Sequence, residues 1–99
     1  MVIWHITNSS YVNLNVFPNP IENNLLEFEI ESEKRMMIDV QVLNLNGELL
    51  HKEKKQIKEN AMLFRSIDVS GAKYPSDNLI LKLTFQDGSS IQRNILNQN

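Results

Sequence analysis

Apolar and polar residues alternate along most of this chain with a period of two. Leu26, Phe28 and Ile30 alternate with Glu27, Glu29 and Glu31, which describes one buried face and one wet, acidic face. Met36, Ile38, Val40 and Val42 alternate with Met37, Asp39 and Gln41. Leu63, Arg65, Ile67 and Val69 share one parity, and Leu79, Leu81, Leu83 and Phe85 alternate with Ile80, Lys82 and Thr84. Successive side chains of a strand point to opposite faces, so this pattern predicts half-buried strands. It places them at about 12–17, 24–31, 36–45, 48–56, 61–69, 78–86 and 89–96, with Val2–Ile6 as an extra edge strand. The best helical candidate is Lys52–Met62, rich in Lys and Glu. Its apolar residues Ile57, Ala61 and Met62 make no full stripe, so it reads as the end of a strand and a solvated connection.

Turn chemistry falls between these runs. Asn46-Gly47 lies between Val42–Leu45 and Glu48–Leu50, and Asp87-Gly88 between Leu81–Gln86 and Ser89–Ile91. Both dipeptides predict hairpins, with two-residue I′ turns in which both residues have φ > 0. In Asn15-Val16-Phe17-Pro18-Asn19-Pro20, two prolines fix their own φ and push Phe17 and Asn19 toward extended conformations. That segment reads as a stiff exit from a strand, unable to continue as a ladder partner. Seven short strands with regular turn signals predict an all-β fold, an antiparallel immunoglobulin-like β-sandwich of about seven strands.

Composition narrows the functional classes. Ninety-nine residues make one small domain, and a hydrophobic share of 41% is too high for a disordered tail. The net charge of −2 carries no basic nucleic-acid footprint. The absence of cysteine excludes a disulfide framework, thiolate catalysis and thiolate metal sites. No apolar run approaches the roughly 20 residues of a membrane-spanning helix. Met1–Ile6 lacks a basic n-region, so an exported form would carry its targeting segment elsewhere in a longer chain.

Little in the sequence points to catalysis. His5 and His51 are the only histidines, without a second ligand at fixed spacing, and read as exposed strand residues. Glu27, Glu29 and Glu31 have the form of a solvated strand face rather than a cation site. Ser9, Ser10, Ser66, Ser70, Ser76, Ser89 and Ser90 sit in turn or strand-edge contexts, none in a nucleophile elbow. Lys52, Lys54, Lys55 and Lys58, interleaved with Glu53 and Glu59, read as a solvated edge that discourages unwanted strand pairing. Trp4 and Tyr11 could form a carbohydrate platform, although terminal packing is the plainer reading. Asn8-Ser9-Ser10 has the form of a glycosylation acceptor and reads as a chance match.

The order of motifs carries more than any one of them. Val16-Phe17-Pro18-Asn19-Pro20 opens the series, followed by the alternating strand with Leu26, Phe28 and Ile30. Next comes the hairpin Val40-Gln41-Val42-Leu43-Asn44-Leu45-Asn46-Gly47-Glu48-Leu49-Leu50, then Ile67-Asp68-Val69-Ser70. Asp77-Asn78-Leu79-Ile80-Leu81-Lys82-Leu83, the turn Asp87-Gly88 and the final strand Ile91–Leu96 complete it. Over about residues 14–97 this series resembles the type A C-terminal sorting domain of cargo proteins of the Bacteroidota type IX secretion system. The chain departs from that pattern in places. Asp77 stands for a glycine, Leu79 for a tyrosine, Asn44 for an aspartate, and the terminal basic pair is reduced to Arg93.

The resemblance implies a signal domain, not an enzyme, with no cofactor, no metal, no nucleic acid and no small-molecule substrate. It implies that residues 14–99 are the sorting-type sandwich, with 1–13 as a leader or extra edge strand. The domain would direct attached cargo across the outer membrane, so that the precursor passes through the periplasm and becomes secreted or cell-surface. Its partners would be the secretion machinery at the outer membrane and an upstream cargo domain of the same polypeptide. The sorting-motif residues that the resemblance implies are Pro18, Asn19, Pro20, Asn44, Gly47, Leu79, Lys82, Gly88 and Arg93. Two alternatives stand beside it: a fibronectin-like or immunoglobulin-like spacer or adhesion module, which would share the fold, and a carbohydrate-binding module.

Overall fold

The computed structural model of the chain describes residues 2–5, 11–22, 24–71, 73–74 and 78–97. It is built of strands: β1 (Val2–His5), β2 (Tyr11–Glu22), β3 (Leu25–Ser32), β4 (Met36–Leu43), β5 (Leu49–Ile57), β6 (Ala61–Asp68), β7 (Asn78–Phe85) and β8 (Ser90–Leu96). They form two four-stranded sheets, ordered β1-β2-β3-β6 and β5-β4-β7-β8. Neighbours within each sheet are antiparallel. The all-β sandwich expected from the alternation is the observed architecture. Its seven main strands are β2 to β8, and β1 adds to the first sheet at the edge beyond β2.

The inward parity of each strand supplies the core. Leu26, Phe28 and Ile30 of β3 and Ile38, Val40 and Val42 of β4 are buried, as are Leu79, Leu81, Leu83 and Phe85 of β7. Each such side chain is worth roughly 1.5–3 kcal/mol over leaving it in water. The central strands β3, β4 and β7 are therefore the most strictly alternating in sequence. The edge strands β5 and β6 interrupt that rule with inward polar residues.

The turns differ from the two-residue form expected. Gly47 and Gly88 have φ of 83° and 94°, but Asn46 and Asp87 do not have positive φ. The Gly47 N–H donates to the Asn44 carbonyl at 3.0 Å, and the Asn44 N–H to the Glu48 carbonyl at 3.1 Å. The Gly88 N–H likewise donates to the Phe85 carbonyl at 2.9 Å, and the Phe85 N–H to the Ser89 carbonyl at 2.8 Å. These are three-residue loops, Leu45-Asn46-Gly47 and Gln86-Asp87-Gly88, each closed by a left-handed glycine. Only the glycine needs φ > 0 in such a loop, and the extra residue is absorbed there.

The Pro-Asn-Pro segment also behaves differently from a simple strand exit. The backbone of β2 stays extended to Glu22. Its ladder with β3 runs from Val12↔Ser32 to Phe17↔Glu27 and resumes only at Glu22↔Leu25. Prolines have no N–H to give to a ladder, which accounts for the break. Ile21 instead bridges in parallel to Asn97, just past β8 in the other sheet. The segment thus carries β2 from one sheet toward the other. The acceptor-like Asn8-Ser9-Ser10, along with Ser76 and Asp77, lies outside the described residues. So do the side chains of Trp4, His5, Tyr11, Pro18, Asn19 and Pro20.

Candidate functional site

The sandwich has a seam along each of two sides, and the chain treats them differently. On one side β5 and β6, edge strands of opposite sheets, face each other. Glu53 pairs with Val40 in β5 and Arg65 with Phe28 in β6, so both occupy inward positions. The Arg65 guanidinium donates from Nε and Nη2 to the two Glu53 carboxylate oxygens at 2.5 and 2.6 Å. His51 Nε2 lies 2.7 Å from Glu53 Oε1, and Arg65 Nη1 donates to the Ser66 carbonyl. The hydrogen bonds from Arg65 outweigh the effect of burial and hold the Glu53 carboxyl down at about 2. The same bonds raise Arg65 above its ordinary value. His51 and Glu53 are therefore not the solvated strand residues that the lysine-rich pattern suggested. Inward charges and exposed lysines, here Lys52, Lys54 and Lys58, both discourage a further strand from pairing at this edge.

The other seam lies between β2 and β8. β8 ends the second sheet, with β7 as its hydrogen-bonded neighbour. Counting from the Phe85–Ser89 bond, the alternation of an antiparallel ladder directs the backbones of Ile91, Arg93 and Ile95 at β7. It directs the N–H and C=O groups of Gln92 and Asn94 outward. Ile91 and Ile95 are buried, and Arg93 shares their parity. Arg93 is half-buried and its Nη2 atom is buried without a hydrogen-bond partner. The single basic residue of the final strand is thus turned into the seam, not displayed on the outer face.

The residues implied by the resemblance do not converge on one spot. Leu79 is fully buried opposite Ile95 and serves packing. Lys82 is half-buried on the outer face, between Gln41 and Gln92. Asn44 organises its hairpin: Oδ1 accepts from the N–H groups of Asn46 and Glu48, each at 2.9 Å, and Nδ2 donates to Glu48 Oε1 at 3.0 Å. An aspartate would keep the two accepted bonds, but would meet Glu48 as a like charge. Asn44 and Glu48 therefore suit each other. Gly47 and Gly88 stand in open space where a Cβ would meet nothing within 4 Å, so their role is the left-handed backbone. Pro18, Asn19 and Pro20 mark the ladder break in β2.

Sequence reasoning missed a surface on the first sheet. Phe17 and Phe64 lie on its outer face with ring centroids 6.2 Å apart, and Met62 is on the same face. Phe17 pairs with Glu27 and Phe64 with Glu29, so the rings meet above the intervening β3. The parity of Met62 and Phe64 in Ala61–Asp68 was the available signal. Two hollows lined by described residues are small: the one formed by Asn13, Glu31, Ser32, Glu33 and Asn60 has a volume of about 170 Å³, and the one beside Met37 and Gln86 about 80 Å³. Small-ligand sites run to roughly 300–1,000 Å³.

Edges, turns and an outer face are thus the informative features among the described residues of this small β-sandwich. The chain belongs to the secretion system C-terminal sorting domain family, whose model matches residues 15–97. A search among curated proteins found no match. The matched span begins one residue after Leu14 in β2 and ends at the Ile21–Asn97 bridge, so it takes in both seams. Membership makes this a type IX secretion sorting domain, a family that is typically non-catalytic. It implies export and association with the secretion machinery.

Proposed function

We propose that this chain is the non-catalytic signal that directs an attached upstream cargo through the type IX channel, across the outer membrane, from the periplasm to the cell surface or medium. In this reading residues 14–99 are the sorting unit, and 1–13 are a leader that adds an edge strand. The family match over residues 15–97 carries the reading. The structure supports a mechanism. β8 offers outward main-chain groups at Gln92 and Asn94, and its neighbouring seam lacks the lysine guard of β5. A partner strand adding at that edge would gain main-chain hydrogen bonds whatever its side chains. The divergence at Leu79 and Asn44 leaves this mechanism intact, because both act in packing or turn closure.

The test is a reporter fused ahead of the chain in a host with a working type IX system. Deleting Ser90–Asn99 removes the buried Ile91 and Ile95 as well as the edge, so a finer variant is needed. Asn94→Pro removes one outward N–H while sparing the ladder to β7. Secretion should fall in both variants, with the Asn94→Pro domain still folded by circular dichroism. Normal secretion of both fusions would dismiss the sorting reading.

A further inference from the structure

We propose that the sorting domain also docks through the outer face of its first sheet, and that the partner there is a basic surface: lysine or arginine side chains at strand spacing around an apolar patch. The proposal rests on the sorting reading above. Phe17, Met62 and Phe64 are 38%, 54% and 51% exposed, and the Phe17–Phe64 contact leaves much of both rings open to water. Beside them Glu27, Glu29 and Glu31 form a row on β3, spaced two residues apart or roughly 6.8 Å. Among the described side chains at outward positions of β2, β3 and β6 there is no lysine or arginine. Arg65 of β6 points inward and is held by Glu53. Among the described residues no ion pair reaches these carboxylates, and Glu29 and Glu31 accept hydrogen bonds from the Asn15 and Asn13 amides.

An apolar patch rimmed by one sign of charge fits a partner of the opposite sign. Cationic side chains would meet the carboxylate row, and guanidinium or ammonium groups also sit well on phenylalanine faces. A second copy of this chain is a poorer occupant. Its second sheet does carry outward Lys52, Lys54 and Lys82, but Asp39 stands among them, 3.7 Å from Lys54. That carboxylate would face the glutamate row.

The experiment uses the same secreted reporter fusion. E27Q/E29Q/E31Q removes the charges and keeps acceptor oxygens for Asn13 and Asn15. The secreted fraction should fall roughly tenfold, the size expected for three surface ion pairs. Phe64→Ser should reduce it several-fold, and K52Q/K54Q on the other sheet should leave it unchanged. Circular dichroism of each purified domain checks the fold. Normal secretion of both the triple variant and Phe64→Ser, with Asn94→Pro retained in the cell, overturns this docking face and leaves the sorting reading standing. Normal secretion of all three, and of the fusion lacking Ser90–Asn99, overturns both. Salt-sensitive self-association in sedimentation velocity, lost in both the triple variant and K52Q/K54Q, would assign the face to a second copy and overturn the basic partner.

Discussion

Replacing Glu53 by Gln isolates the charge that closes the β5–β6 seam. Gln keeps an acceptor for Arg65 but loses the ion pair, leaving a half-buried guanidinium without its counter-charge. Glu53 is held at about 2 against an ordinary 4.5. A shift of that size corresponds to about 3 kcal/mol at neutral pH. Glu53 is 13% exposed and Arg65 28%, so water reaches the pair and screening reduces the figure; about 1–2 kcal/mol is the expected loss. In a domain of this length that lowers Tm by roughly 5–15 °C. The pH dependence follows from the depressed carboxyl. Its stabilisation is complete above the unfolded value near 4.5 and disappears as pH falls toward 2. Urea denaturation of both proteins at pH 7 and again below pH 2.5 should therefore show a gap that closes in acid. Other groups that titrate there, such as Asp68, lowered by hydrogen bonds from Ser70, are common to both proteins and cancel in the difference. A gap under 0.5 kcal/mol at pH 7, or one equally large in acid, would refute the reasoning.

Three further substitutions test the hairpins. Asn44→Ala removes both bonds accepted by Oδ1 and the one donated to Glu48, and should cost about 1–2 kcal/mol by chemical denaturation. Asn44→Asp should cost less in high salt than in low salt, because screening weakens the repulsion from Glu48. Gly88→Ala meets no steric obstacle, so its cost should be the left-handed backbone alone, about 1–2 kcal/mol, with no change in the circular dichroism spectrum.

Strand identity was legible because the alternation is local. Leu26 to Ile30, Met36 to Val42 and Leu79 to Phe85 each declare a buried face within a single strand, and that face is buried in the structure. Hairpin positions were legible for the same reason: Asn46-Gly47 and Asp87-Gly88 interrupt the pattern at the right points. The turn class was not. Both loops take in a third residue before the dipeptide, Leu45 or Gln86, and close on the carbonyl ahead of it, with the Asn44 side chain adding bonds from the Asn46 and Glu48 N–H groups in the first. The candidate docking face was half legible. The acidic row of β3 stood out, but the aromatic contact above it joins residues 17 and 64, which meet only because β2 and β6 flank β3.

By itself the sequence determined the strands, their inward parity and the order of motifs that places the chain in its family. Parity alone put Arg65 inward among Leu63, Ile67 and Val69. Only the tertiary structure decided what meets it. Glu53 lies in the other sheet, and β5 and β6 become opposed edges only after the chain has crossed between sheets. The same holds for Ile21 and Asn97, which close the second seam from near opposite ends of the chain. A strand's own side chains set which face is buried, because burial depends on local alternation. Which edges face each other depends on strand order in three dimensions, and no window of sequence contains it.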